Sequence, residues 1–316
     1  MKCLVTGAAG FIGSHLCERL MADGHSVRGL DAFIPYYPRV DKERNLSALI
    51  PHRAFEFLQC DLRCDPLEGA LQGIEAVFHL AAMPGLPRSW TDFDLYEGCN
   101  VTATHRLLEA VDRKGGVQRL IYASTSSVYG RHASGDESLP LRPISPYGVT
   151  KLAGENLCRA FSEERNLNLV VLRYFSVYGA RQRPDMGYRR FIDAILLDRP
   201  IAVFGDGQQV RGNTYVDDCA AATALALHAL PGETFNVGGG QPVTVIEVIR
   251  KLEAITGRRA TIEMQAVRPG DQRATLADTS KLFRHLGWRP ATSIDEGLVR
   301  QVEWQRSMVD GARAAA

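Results

Sequence analysis

No apolar run in the 316 residues approaches the ~20 that a membrane-spanning helix needs, so a bilayer is not an expected partner. The chain also lacks a charge surplus. Lys and Arg number 37 against 36 Asp and Glu, a formal net charge of +1, which gives no electrostatic reason to expect nucleic acid or an anionic surface. No signal peptide precedes the first ordered stretch, because Met1-Lys2-Cys3-Leu4-Val5-Thr6 already reads as a strand. A cytoplasmic location is the expectation. Seven scattered cysteines, an odd number, suit a reducing compartment better than a disulfide framework. Cys60 and Cys64 are the only close pair, with no second pair or histidine cluster at ligand spacing, so packing and no metal is expected there. There is no internal repeat, and only the Ala-rich last residues look dispensable. The 45% hydrophobic and 23% charged fractions exclude disorder as the default. The length allows two domains of roughly 150 residues or one large α/β unit.

The apolar start leads straight into Gly7-Ala8-Ala9-Gly10-Phe11-Ile12-Gly13 and a helical stretch to about Asp23, which Gly24 is placed to end. Glycines between strand and helix permit a tight turn, close approach of backbone to a pyrophosphate, and helix–strand packing. The helix N-terminus then offers free N–H groups to phosphate. Gly7, Gly10, Phe11, Ile12 and Gly13 are thus expected to hold a dinucleotide. The spacing is G-x-x-G-x-x-G, not the commoner G-x-G-x-x-G. A second strand, about Ser26–Leu30, ends at Asp31, eighteen residues beyond Gly13. A carboxylate there can accept from both adenosine ribose hydroxyls and repel a 2′-phosphate, which predicts NAD in place of NADP, with Phe33 alongside. Arg28, three residues before Asp31, is a complication as a second charge on the same strand.

Further apolar runs near 55–58, 76–81, 119–124 and 168–174 alternate with helical patterns, notably 100–114 and 146–165. The alternation predicts an α/β fold with a Rossmann-type doubly wound parallel sheet. Strand carboxyl ends form the cofactor crevice in such sheets, so Asp61, Leu62, Leu80, Ala81 and Ala82 are candidate cofactor contacts, with Asn100 and Tyr174. His79, inside an apolar run, reads as a satisfied core histidine.

One stretch carries chemistry. In Ser145-Pro146-Tyr147-Gly148-Val149-Thr150-Lys151, Ser145 suits an N-cap and Pro146 the first helical position. Tyr147 and Lys151 then share a helical face. An ammonium beside a phenol lowers the phenol pKa, and a tyrosine tuned toward neutrality can serve as a general base. Alone, the spacing is equally that of a surface helix. After Tyr174 the composition shifts: residues 181–213 hold Arg181, Arg183, Arg189, Arg190, Arg199 and Arg211, interleaved with Tyr188, Phe191 and Phe204. Such a region, with Val203, can grip a diphosphate and stack a base, or simply form a solvated basic face. Thr214–Val216 and Thr234–Val237 look like strands returning toward the sheet, and Arg268-Pro269-Gly270-Asp271 is a charged turn.

Gly7-x-x-Gly10-x-x-Gly13, Asp31, Thr125-Ser126-Ser127-Val128-Tyr129-Gly130 and Tyr147-x-x-x-Lys151 occur in the order and spacing of the extended short-chain dehydrogenase/reductases. The chain resembles that sugar-nucleotide epimerase/dehydratase family over essentially its whole length, since Arg211 to Asp218 and Arg268 to Asp271 are similar to its C-terminal nucleotide-binding motifs. The resemblance implies bound NAD, a homodimer formed through the helices near 100–114 and 146–165, and a UDP-sugar substrate. It also implies an NAD-binding domain of residues 1–174 with a return segment about 212–240. A smaller, partly interleaved substrate domain would take 175–211 and 241–316. Thr125 should hydrogen-bond the sugar 4-hydroxyl, Tyr147 act as base, and Lys151 hold the nicotinamide ribose. Arg211, Arg268 and Asp271 resemble the family's UDP clamp.

Two serines discriminate within the family. The 4,6-dehydratases carry an Asp-Glu pair after the threonine and the UDP-glucuronate decarboxylases a Glu at the second place, where this chain has Ser126 and Ser127. That leaves epimerisation at C4. The runs Gly179 to Met186 and Asp31 to Tyr37 resemble those of UDP-glucuronate 4-epimerases, and Ser176 stands where UDP-glucose 4-epimerases usually have asparagine. Ser126, Ser127, Ser176 and Arg183 can supply the donors a C6 carboxylate wants. The alternatives are a UDP-glucose or UDP-N-acetylglucosamine 4-epimerase, a decarboxylase, and a non-catalytic NAD-binding sensor on the same fold.

Overall fold

A computed structural model describes residues 1–267 and 273–314, with side chains to 310. Seven parallel strands form the central sheet: β1 (Lys2–Thr6), β2 (Ser26–Asp31), β3 (Phe55–Gln59), β4 (Ala76–His79), β5 (Arg119–Thr125), β6 (Leu169–Tyr174) and β7 (Thr234–Val237). Their spatial order, β7-β6-β5-β4-β1-β2-β3, reverses direction between β1 and β4. A doubly wound sheet opens its ligand crevice at such a switch point. The central strands are continuous apolar runs because helices cover both faces.

Two helices matter most for the crevice. α1 (Phe11–Ala22) leaves β1 through the glycine turn and stops at the Asp23 C-cap, with Gly24 at φ 86°. The long helix Pro146–Arg165 follows β5 and begins as its sequence predicts: the Ser145 hydroxyl accepts from Gly148 N at 3.1 Å, with Pro146 in the first turn. Asn166, at φ 57°, ends it.

Three expectations shift. The apolar run 76–81 stops being strand at His79, because the Thr6 hydroxyl takes the amides of Leu80 and Ala81 at 3.1 and 3.0 Å and pulls them out of the ladder. The helical pattern 100–114 begins with a π turn, Gly98–Thr102, before the α-helix Ala103–Lys114. Thr234–Val237 joins the main sheet beside β6, but Thr214–Tyr215 pairs with Val177–Tyr178 in a separate ribbon, and Val216 already starts a helix. No helix among the described residues is long and apolar enough to cross a membrane, and no group of three or more His, Cys, Asp or Glu among them is placed to hold a metal ion.

His79 is a core histidine with both ring nitrogens satisfied. Thr104 Oγ1 donates to the Asn100 carbonyl at 2.8 Å, so it accepts from His79 Nε2–H at 3.0 Å. Nδ1 is then the acceptor for the Thr6 hydroxyl at 2.8 Å. Burial first, and the Lys151 charge second, hold the imidazole pKa down at about 3 from an ordinary 6.5. On acidification below 6.5 the unfolded chain binds this proton before the folded one does. The contribution is therefore intact above 6.5 and declines as pH falls toward 3. Urea midpoints should fall between pH 7.5 and 5.5, and His79→Asn, though less stable, should flatten that slope; parallel curves for the two proteins would assign the acid sensitivity elsewhere.

Candidate active site

The crevice at the carboxyl ends of β1, β2, β4, β5 and β6 collects most of the sequence-predicted cofactor residues. Gly7, Gly10, Phe11, Ile12, Gly13, Asp31, Asp61, Leu62, Leu80, Ala81, Ala82, Tyr147, Lys151 and Tyr174 all line one cleft. The glycine turn leaves no space for side chains. A Cβ on Gly13 would come within 2.1 Å of the Gly7 carbonyl, and one on Gly7, at φ 74°, within 3.0 Å of Ala81 N. The first closeness packs α1 onto the turn, and the second lets β1 meet the end of β4. A dinucleotide phosphate fits such a bare backbone at a helix start.

Asp31 is buried and faces the same cleft. Its Oδ1 accepts from Phe33 N at 2.8 Å and faces Lys42 Nζ at 3.4 Å. No hydrogen bond among the described residues engages Oδ2, which leaves an acceptor for ribose hydroxyls. Arg28 is turned away: its guanidinium pairs with Glu56 at 2.9 Å and donates to the carbonyls of Gly69, Ala70 and Gln72. Asp61 is held by Arg63, whose backbone amide and guanidinium donate to both carboxylate oxygens at 2.7–3.2 Å. Phe33 adopts φ 52° and packs on Phe57 under the Arg39 guanidinium, outside the cleft lining.

Asn100 lies behind the cleft. Its amide clamps Met83, accepting from the amide at 2.6 Å and donating to the carbonyl at 3.1 Å, and donates to Thr150 at 3.0 Å. The side chain anchors the wall of the cleft and has no donor left to reach into it.

At the reacting end, Thr125 closes β5 and caps the short turn Ser126–Tyr129, accepting from Ser127 N at 3.2 Å. Its side chain also lowers the Tyr147 phenol pKa. The expected pairing of charges needs correction. Burial holds the Tyr147 phenol above its ordinary range, and what opposes burial is the Thr125 hydrogen bond and the Arg183 charge. Lys151 is buried as well, its ammonium 4.4 Å from the centre of the Tyr122 ring, and burial brings its pKa down to about 8. The helical spacing puts Lys151 beneath the site, while the cation acting on the phenol comes from a loop 36 residues further along the chain.

Behind Lys151 a charged network supports the helix. Glu155, fully buried, accepts from Arg173 at 2.6 Å, from Arg159 at 3.0 Å and from Ser124 at 2.9 Å. Arg173 also donates to the Tyr129 hydroxyl at 3.0 Å. Removing one partner of such a buried pair costs about 3–5 kcal/mol.

The substrate-side predictions divide. Arg183 lines the cleft with Tyr147 and Lys151. Ser126, Ser127, Ser176, Tyr188, Phe191, Val203, Phe204 and Arg211 are outside its lining. Val203 is a core residue, Tyr188 stacks between Tyr178 and Phe191 and accepts from Asn213, and the side chain of Arg211 bonds its own strand. Arg268 and Asp271 fall outside the described residues. Sequence reasoning missed Tyr36, Lys42, Met83 and Ser124 in the lining. Only Tyr36 lay in a stretch already singled out; the others have no local signature.

The comparisons with known proteins come down on one family. Residues 3–238 match the model of the NAD dependent epimerase/dehydratase family. A UDP-glucuronate 4-epimerase of Thermodesulfobacterium geofontis is 39% identical over 97% of this chain and 97% of its own. YtcB of Bacillus subtilis, described as an uncharacterized UDP-glucose epimerase, is 44% identical over 98% and 100%. The crystal structure of UDP-glucuronic acid 4-epimerase from Bacillus cereus, with UDP-glucuronic acid and NAD, superposes with a TM-score of 0.94 at 42% identity, over 98% of this chain and 100% of that one. With the glycine turn, Asp31, Tyr147 and Lys151 gathered in one cleft and Thr125 closing the strand beside it, this chain belongs to the NAD dependent epimerase/dehydratase family.

Proposed function

We propose that the protein epimerises UDP-glucuronate and UDP-galacturonate at C4. The observation that carries this reading is Arg183: a guanidinium inside the cleft of Tyr147 and Lys151, where no carboxylate follows Thr125. A cation there suits an anionic C6 group, and serines at 126 and 127 cannot act as acid or base near neutral pH. The Bacillus cereus and Thermodesulfobacterium geofontis enzymes support the same substrate. YtcB supports the second reading, a UDP-glucose 4-epimerase.

NAD, held by the glycine turn and Asp31, would supply reversible hydride transfer at C4. The chain's own groups do the rest. Thr125 holds the 4-hydroxyl, and Tyr147 accepts its proton and later gives it back. The Arg183 charge offsets the cost of a buried phenolate, and Lys151 keeps a positive charge beneath the nicotinamide ribose. Asp31 takes the adenosine ribose hydroxyls, with the glycine turn on the diphosphate. Between the two half-reactions the 4-keto sugar turns over, so the binding contacts must lie on the nucleotide; Tyr188, Phe191, Val203, Phe204, Arg211, Arg268 and Asp271 are the proposed holders. The keto-uronate is a β-keto acid and loses carbon dioxide most easily when its carboxylate bond stands perpendicular to the ketone plane. Ser126, Ser127, Ser176 and Arg183 are proposed to hold it out of that geometry.

The same reading includes a homodimer through Ala103–Lys114 and Pro146–Arg165, action in the cytoplasm, and the division into a nucleotide domain (1–174 with about 212–240) and a substrate domain (175–211 and 241–316).

Incubation with UDP-glucuronate, followed by chromatography and proton NMR, should yield UDP-galacturonate with little UDP-pentose; turnover of UDP-glucose alone would transfer the weight to the second reading. Tyr147→Phe should lower kcat by a factor of ~100 or more while NAD remains bound, and a variant near the wild-type rate would remove Tyr147 as base. Arg183→Ala should raise KM for UDP-glucuronate selectively. Because it removes a charge that lowers the phenol pKa, it should also move the rising limb of the pH–rate profile on UDP-glucose to higher pH. An unmoved limb would mean that Arg183 does not act on Tyr147.

A further inference from the structure

Arg183 does not stand alone in the cleft. Its Nε donates to Asp185 Oδ1 and its Nη2 to Asp185 Oδ2, both at 3.0 Å. This is the side-on edge of the guanidinium. The end-on edge, Nη1 with the second Nη2 proton, has no hydrogen-bond partner among the described residues. A guanidinium can serve two carboxylates at once through those two edges.

Asp185 is itself held from a distant part of the chain. The Tyr36 hydroxyl, 149 positions away, donates to Asp185 Oδ2 at 3.3 Å. The Tyr36 ring lies beside the Arg183 guanidinium, with 5.8 Å between centroid and Cζ, and on the Arg88 guanidinium at 5.4 Å. Its hydroxyl occupies space that only a glycine leaves open, since a Cβ on Gly85 would approach it to 2.3 Å. The backbone adds a turn: Pro184 sits between the two partners and Met186 N donates to the Arg183 carbonyl at 3.1 Å. The loop carrying Arg183 is thereby clasped to the loop after β2 across the mouth of the cleft.

We propose that Asp185 and Tyr36 are positioning residues for substrate specificity: they hold Arg183 by its side-on edge and present the end-on edge to the C6 carboxylate of a UDP-uronate. The inference rests on the uronate reading above and extends it to two residues that act on the substrate through Arg183. An arginine side chain free to rotate would lose much of its conformational entropy on binding a carboxylate. One already pinned loses less, and binds tighter for the same contacts.

The test uses NAD-loaded wild type, Asp185→Asn and Tyr36→Phe, each assayed on UDP-glucuronate and UDP-glucose. Asp185→Asn should raise the ratio of the two KM values, uronate over glucose, by roughly tenfold. Tyr36→Phe, which removes one neutral hydroxyl, should raise it about two- to threefold. Asp185→Glu, which restores the charge on a longer arm, should recover part of the loss. A ratio that falls in Asp185→Asn would mean that Asp185 competes with the substrate, and the proposal fails. Equal rises on both sugars would reduce the clasp to loop packing and overturn it too. Wild-type protein that does not turn over UDP-glucuronate at all would sink the substrate reading and this inference with it, an outcome distinct from an active wild type with an unchanged ratio.

Discussion

A phenol that has to lose its proton inside a protein is held back by burial, because a phenolate in a low-dielectric cleft forfeits the water that would solvate it. Under the proposed function Tyr147 is in that position, and burial pushes its pKa up. The surroundings are arranged against this penalty. The Thr125 side chain and the Arg183 charge both act to lower the phenol pKa again. Burial acts on Lys151 as well and brings its pKa down to about 8.

The fold exists to keep these groups within reach of one another. Parallel strands end on one side of the sheet, so the residues after β1, β2, β4, β5 and β6 converge there without any local tendency to do so. The walls are fixed by polar side chains whose bonds are all used. Thr6 and His79 end β4, Asn100 clamps Met83, and Glu155 ties the helix Pro146–Arg165 to β6 through Arg173. Each is buried, and each would cost stability if left without its partner. The chemistry is thus carried by few residues and the precision by many.

Much of this was legible from local pattern. The glycine turn, the Ser145-Pro146 helix start, Asp31 at a strand end and the satisfied His79 all follow from spacing and neighbours, and all stand where those features put them. The strand limit at 79 was not legible, because it depends on the Thr6 hydroxyl meeting the amides of Leu80 and Ala81 from another strand, and the π turn at Gly98 has no local signature in the sequence. Arg183 was legible as a candidate, but its partners were not. Tyr36 precedes it by 147 positions, and nothing in either stretch announces the other.

The division has a physical basis. Periodicity, turn chemistry and capping act over fewer than ten residues, so the order of strands and helices, the site of the dinucleotide and the Tyr147–Lys151 pairing on one face were written in the chain. Electrostatics acts through space. Which cation lowers the Tyr147 pKa, which way Arg28 turns, and which edge of Arg183 is free were decided only when distant loops met over the sheet.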